Sequence, residues 1–168
     1  RPSIMLMVQN LADGRWDGDA MAHILADPAR SGALIADTIA ALHRVRWQGA
    51  VFDIENLPDH ALPAYRHFLT RAHAAFARAG LTLALTVPAG EPAWDPRRFA
   101  QAADELILMD YDQHWQGGEA GPIAAQDWFA QQLSDARAKV PADKLIVALG
   151  SYGYDWHDGI ADALTINE

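Results

Sequence analysis

Five short apolar runs, at residues 4–8, 50–54, 81–87, 105–109 and 144–149, are separated by longer stretches with the spacing of amphipathic helices. This alternation constrains the fold more than any other feature. A strand that leads into a helix and then into another strand pairs with it in parallel. Between the strands, residues 31–46 place Leu34, Ile35, Thr38, Ile39 and Leu42 on one stripe. Residues 61–79 do the same with Tyr65, Phe68, Leu69, Ala72 and Phe76, and Gly80 follows as a helix stop. Asp95-Pro96 is a capping residue followed by a first-turn proline, opening a short helix through Ala102. A last amphipathic stretch spans 125–138 and is closed by Pro141. No hairpin signal of the Asn-Gly kind is read, so the sheet is expected to be parallel throughout.

The 168 residues hold one compact domain, and five strands set about 34 residues per βα unit, close to the repeat of a (β/α)8 barrel of ~250 residues. The expected fold class is therefore α/β, of the TIM-barrel type and incomplete. Polar residues of chemical interest follow the strands: Asn10, then Asp53 and Glu55, then Tyr111 and Asp112, then Tyr152 and Asp155. In parallel α/β proteins that C-terminal edge is where sites are built. No glycine-rich loop of dinucleotide or P-loop type follows any strand, which argues against nucleotide binding.

Within the second run, Asp53 and Glu55 stand two residues apart, so an extended backbone turns both carboxylates to the face opposite Phe52 and Ile54. Adjacent carboxylates repel, and the usual relief is for one to hold a proton near neutral pH. A protonated carboxyl beside an ionised one is what acid-catalysed cleavage of a glycosidic bond requires. An acidic strand end facing water is the plain alternative.

The formal charge of −9, without a Lys/Arg cluster, argues against a nucleic-acid partner and against adhesion to an anionic membrane. No apolar run approaches the roughly 20 residues of a membrane span. The absence of cysteine excludes disulfides, a thiol nucleophile and a thiolate zinc site. No histidine pair has the spacing of a helical metal site, so neither metal nor cofactor is expected. Arg1 is preceded by neither signal peptide nor initiator Met, and the final Thr165-Ile166-Asn167-Glu168 lacks a helix cap. Both ends read as cuts in a longer protein.

Three ordered segments resemble signatures of glycoside hydrolase family 18, the chitinase-like barrels. Gly49-Ala50-Val51-Phe52-Asp53-Ile54-Glu55-Asn56 resembles the end of the family's fourth strand, Asp-Gly-x-Asp-x-Asp-x-Glu. Met109-Asp110-Tyr111-Asp112-Gln113-His114-Trp115 resembles the sixth-strand Met-Thr-Tyr-Asp motif, and Gly150-Ser151-Tyr152-Gly153-Tyr154-Asp155-Trp156 the seventh-strand Gly-x-x-Tyr-Gly segment. The Tyr-Asp-x-His-Trp run, Gly121-Pro122-Ile123-Ala124 and Tyr-Gly-Tyr-Asp-Trp are similar to the spore-cortex lytic, peptidoglycan-directed branch. They also resemble its relatives fused to polysaccharide deacetylase and glycosyltransferase domains. The resemblance covers nearly the whole of residues 1–168. It implies barrel strands three to seven, with strands one, two and eight outside the chain, and a covalent fusion to further domains at the cell envelope or outside the cell.

The resemblance further implies a substrate-assisted retaining reaction on an N-acetylated polysaccharide that is chitin-like, peptidoglycan-like or poly-N-acetylglucosamine-like. Glu55 would be the general acid and base, Asp53 would orient the acetamido group, and Tyr111 would donate its hydroxyl to the acetamido oxygen. Asp112, Asn10, Trp115, Tyr152 and Trp156 would bind sugar. Two departures stand out: Gln48 replaces the family's first Asp, and Val51 fills a middle position that is commonly Asp or Asn. Gln113 stands where the cortex-lytic branch often has Glu. Valine cannot hydrogen-bond, so the proton coupling of Asp53 is expected to weaken. Asp110 is expected to be exposed, Trp128 to belong to the core, and His43, His67 and His73 to lie at the surface or boundary. His114 is expected to shape its loop. A non-hydrolytic glycan-binding domain within a polysaccharide-processing protein is the alternative function, and a spacer role the third. Retention of Glu55 favours the enzyme.

Overall fold

The computed structural model describes residues 4–158 and 160–165; the final 166–168 of the chain end noted above lie outside them. Its centre is a five-stranded parallel sheet in the order β1 (Met5–Gln9), β4 (Gly49–Asp53), β5 (Thr82–Pro88), β6 (Glu105–Met109), β7 (Leu145–Ala148). All five strands fall on the five apolar runs, and the sheet is the arc of an incomplete barrel. Strand parity sorts the side chains. Val8, Phe52, Leu85 and Leu106 lie in one register row, as do Met7, Val51 and Ala84 in another. The first row faces the helices and the second lines the lumen.

The helices are α1 (Gly18–Ala26), α2 (Pro28–Val45), α3 (Leu62–Arg78), α4 (Pro96–Ala100) and α5 (Gln126–Arg137). The α3 stripe is the expected one: Tyr65, Phe68, Leu69, Ala72 and Phe76 are all buried, and Gly80 follows at φ 67. The phenyl ring of Phe52 meets Phe68 edge-on at 5.3 Å and Phe76 at 6.3 Å, while Trp94 stacks on Phe99 at 5.1 Å. Each such side chain contributes about 1.5–3 kcal/mol on burial. Asp95 caps α4 by accepting from Arg97 N–H, as expected.

Three features depart from the sequence expectations. Helix α1 was not foreseen: Asp17 caps it by accepting from Ala20 N–H at 2.9 Å, and its single buried stripe is Met21 and Leu25. Helix α2 begins at Pro28 and not near residue 31, because Asp27 accepts from Ala29 and Arg30 N–H just ahead of the proline. Nor is every strand pair parallel. Two antiparallel hairpins flank the sheet: β2 (Leu11–Ala12) with β3 (Arg15–Trp16), and β8 (Tyr152–His157) with β9 (Ile160–Thr165). In sequence, Asp13-Gly14 and Asp158-Gly159 lie between the paired strands. Asp13, Gly14 and Asp158 all have positive φ, so Asp-Gly supplies the turn signal that Asn-Gly did not.

Candidate active site

The end of β4 and the loop after it position the central carboxylates. Asp53 is the last residue of β4, only 6% exposed. Gln9 Nε2 donates to its Oδ2 at 2.8 Å, and Thr86 Oγ1 donates to its Oδ1 at 2.8 Å. Two residues on, Glu55 is half-buried, and its backbone is clamped by the Asn10 side chain. Glu55 N–H donates to Asn10 Oδ1 at 2.9 Å, and Asn10 Nδ2 donates to the Glu55 carbonyl at 2.8 Å. The chain then turns through Asn56 at φ 52. Gly18, at the start of α1, lies so close beneath this turn that a Cβ on it would stand 1.7 Å from the Asn56 carbonyl oxygen. The hairpin β2–β3 and helix α1 thus buttress the loop that carries Glu55.

Burial, then the charges of Asp53 and Asp112, push the Glu55 carboxyl up to about 7. At neutral pH it therefore holds its proton for a substantial fraction of the time, the property required of a general acid. Tyr111 continues β6 on the lumen parity of Met109. Its phenol is pushed up to about 12 by burial and by the charges of Glu55, Asp53 and Asp112, so it stays a hydroxyl donor. Asp112 is held at φ 62, is exposed, and accepts a hydrogen bond from the Tyr152 hydroxyl. Burial and that bond to Asp112 raise the Tyr152 phenol as well. Gly150 makes this approach possible, since a Cβ there would stand 3.1 Å from Tyr111 Cβ.

From Tyr111 an aromatic file runs outward: Tyr152 at 6.1 Å, Tyr154 at 5.7 Å from Tyr152, and Trp156 at 5.5 Å from Tyr154. These β8 residues alternate with Gly153 and Asp155 and so share one face of the hairpin. The loop after β6 reaches the same hairpin through Gln116, whose side chain donates to the Ala161 carbonyl at 2.7 Å. Gln113 closes that loop, accepting from Ala125 N–H at 2.8 Å. His114 Nδ1 contacts the Glu119 carbonyl at 3.1 Å within the same loop. On the other side of Glu55 a cleft of about 270 Å³ opens, lined by Asn56, Asp59, Pro88, Glu91, Trp94 and Met109 among others.

The structure thus brings Glu55, Asp53, Tyr111, Asp112 and Tyr152 to one end of the sheet, with Trp156 at the far end of the aromatic file. Asn10 is there too, but its amide is spent on the Glu55 backbone instead of facing solvent. Trp115 is 56% exposed and rests over Gly117 and Gly118, apart from that file. Gln48 lies at the opposite end, accepting from Ile4 N–H at 2.8 Å, far from the carboxylates it precedes in sequence. Asp110 is a correction: it is 1% exposed, because the alternation that turns Tyr111 into the lumen turns Asp110 toward the helix layer. Burial raises its carboxyl to about 6, and neither oxygen has a hydrogen-bond partner. Trp128 is half-buried, beside Gly90, and not part of the core. His43 and His67 are exposed, and His73 pairs with Asp104 at 3.0 Å. Sequence reasoning missed Gln9, Thr86, Gly18 and Tyr154; of these only Tyr154, at period two from Tyr152, carried a local signal.

Among the described residues no group of three His, Asp or Glu side chains is arranged to hold a metal ion, and no helix is long and apolar enough to cross a membrane.

No family model matches the chain. It is similar to the uncharacterized glycosylase YvbX of Bacillus subtilis, at 25% identity over 91% of this chain and 47% of that protein. It is also similar to the cortical fragment-lytic enzyme of Bacillus cereus, at 26% identity over 90% of this chain and 37% of that one. Among solved structures, a chitinase from Chromobacterium violaceum superposes with a TM-score of 0.88 at 27% identity, over 98% of this chain and 55% of that chain. The chain therefore spans about half or less of the curated relatives it matches. Its homologues are glycosylases, cortex-lytic enzymes and chitinases, in agreement with the motif resemblance.

Proposed function

From this position among chitinase-like and cortex-lytic glycosylases, we propose that the 168 residues form part of the catalytic domain of a longer glycoside hydrolase. It cleaves a β-linked polysaccharide containing N-acetylglucosamine by a substrate-assisted, retaining route. Glu55 protonates the glycosidic oxygen, and the bond from that oxygen to the anomeric carbon breaks. The carbonyl oxygen of the sugar's own acetamido group attacks the anomeric carbon and forms an oxazolinium ring. Asp53 accepts from the acetamido N–H and offsets the developing positive charge; Tyr111 donates to the acetamido oxygen. Glu55, now ionised, takes a proton from water, which opens the ring. Asp112 and Trp115 from the loop after β6, and Tyr152 and Trp156 from the hairpin, hold sugar hydroxyls and faces. The polymer lies in the cell wall or outside the cell, where the cortex-lytic relatives' named substrate lies.

The observation that carries this is the raised Glu55 carboxyl beside the buried, doubly hydrogen-bonded Asp53. The test compares acetylated and de-N-acetylated oligosaccharides of equal length on the full-length protein. Cleavage of the acetylated series alone is the expected result, since only it carries the internal nucleophile. Equal cleavage of both would exclude substrate assistance. Binding without cleavage of either would favour the glycan-binding alternative.

A further inference from the structure

Asp53 receives one hydrogen bond from each neighbouring strand. Gln9 is its in-register partner on β1 and gives Nε2–H to Oδ2; Thr86 on β5 gives its hydroxyl proton to Oδ1, both at 2.8 Å. The Thr86 hydroxyl also lies 3.5 Å from the Phe52 carbonyl, but it has one proton, and the shorter contact takes it. Behind Asp53 on the same face of β4 stands Val51, 8% exposed and without a polar atom. A carboxylate that leans on another carboxyl is positioned by a shared proton, so its geometry follows pH. Here both oxygens are occupied by an amide and a hydroxyl, which do not titrate.

We propose that Gln9 and Thr86 are positioning residues for the reaction above: a neutral cradle, drawn from two strands, that fixes the orientation of Asp53 where Val51 offers no titrating partner. The inference rests on that functional reading, because the orientation matters for catalysis only if Asp53 meets an acetamido group. It also has a consequence independent of turnover. The titratable groups around Glu55 are Asp53 on β4, Asp112 and Tyr111 beyond β6, Tyr152 on β8 through its bond to Asp112, and Asp59 and Glu91, which line the same cleft. Of these, Asp53 is the group whose charge bears on Glu55 most strongly. An Asp53 carboxylate stripped of a donor is no longer held in place, so the charge that raises Glu55 moves relative to it.

The experiment therefore has two readouts on the full-length protein. The first follows the Glu55 carboxyl by carbon-13 NMR in wild type, Gln9→Leu, Thr86→Val and Thr86→Ser. Wild type is expected to titrate at about 7. Gln9→Leu and Thr86→Val are expected to lower that midpoint by about one unit, and Thr86→Ser, which keeps the hydroxyl, to leave it in place. The second is cleavage of acetylated oligosaccharides. Gln9→Leu and Thr86→Val should each lower kcat ~10–100-fold with KM within about threefold, and Thr86→Ser should restore it. Thr86→Val preserves shape at the buried position, and Gln9 is the last residue of β1, at the rim of the sheet, so both variants are expected to fold. A Glu55 midpoint unmoved in both variants overturns the proposal, as does an unchanged kcat. A wild type that cleaves nothing overturns the functional reading, and the NMR titration then decides whether Gln9 and Thr86 hold Asp53 in place.

Discussion

On the helix-facing side of the sheet, Phe52, Leu83, Leu85, Leu106 and Leu108 are all within 2% exposure, whereas on the lumen side of the edge strands Met7 is 53% and Ile146 44% exposed. The same strands supply both faces, one residue apart. The outer face is large and apolar, and it packs on an aromatic layer from α3 and α4. The inner face is small or polar along Gly49, Asp53, Thr82, Ala84 and Thr86, and Gln9 joins it from β1. Stability and chemistry are thus assigned to alternate residues, which lets a buried acid and its donors occupy the sheet without disturbing the core.

That partition can be broken most severely at Glu55. Glu55→Gln in the full-length protein is expected to lower cleavage of acetylated oligosaccharides ~10²–10⁴-fold while leaving affinity nearly unchanged, as measured by turnover and calorimetric binding. On the opposite parity, Phe52→Ala should cost ~3–5 kcal/mol of unfolding free energy, measured in denaturant, because it empties the contact with Phe68 and Phe76. In residues 1–168 alone, Met7→Ser, on the exposed lumen face, should stay within ~0.5 kcal/mol. Equal costs at the two sites would erase the distinction between the faces.

Gly18→Ala sharpens the comparison, since it leaves both faces intact and displaces only the loop carrying Glu55. A backbone shift forced by the 1.7 Å approach should cost ~1–3 kcal/mol and lower kcat about tenfold, read by thermal unfolding and turnover. The smallest effect concerns pH. The folded-state value of Glu55, about 7, lies above its ordinary value of 4.5, so the native state takes up a proton between them and stability falls as pH rises through that window. Glu55→Gln removes the term. Relative to wild type, the variant should gain ~1 kcal/mol between pH 4 and pH 8, a figure reduced because the carboxyl is half exposed. A constant difference across that range would show the carboxyl to be unperturbed.

The outer face was the legible part of the chain. All five central strands and the α3 stripe follow from apolar period alone, because burial against one neighbour leaves a repeating mark. Asp53 and Glu55 were legible as a pair through the period of a strand, and Tyr111 through its parity with Met109. What sets their geometry was not. Gln9, Thr86 and Gly18 act on residues 33 to 44 positions away or across a loop, and nothing local distinguishes them from ordinary strand or turn residues. Helix α1 was missed because Met21 and Leu25 make a stripe of two. Both hairpins were missed because Asp13-Gly14 and Asp158-Gly159 were passed over in favour of Asn-Gly. Asp110 went wrong through its residue type: an aspartate beside a motif suggests solvent, but its register allows only the helix layer.

The file from Tyr111 through Tyr152 and Tyr154 to Trp156 also gives this end of the molecule an optical identity. Rings at such separations couple their transitions, and tyrosine excitation passes readily down to a tryptophan at the end of the row. A ligand that settles against this file should therefore alter the ultraviolet circular dichroism and the tryptophan emission together, so the chain carries its own reporter for occupancy of this face of the hairpin.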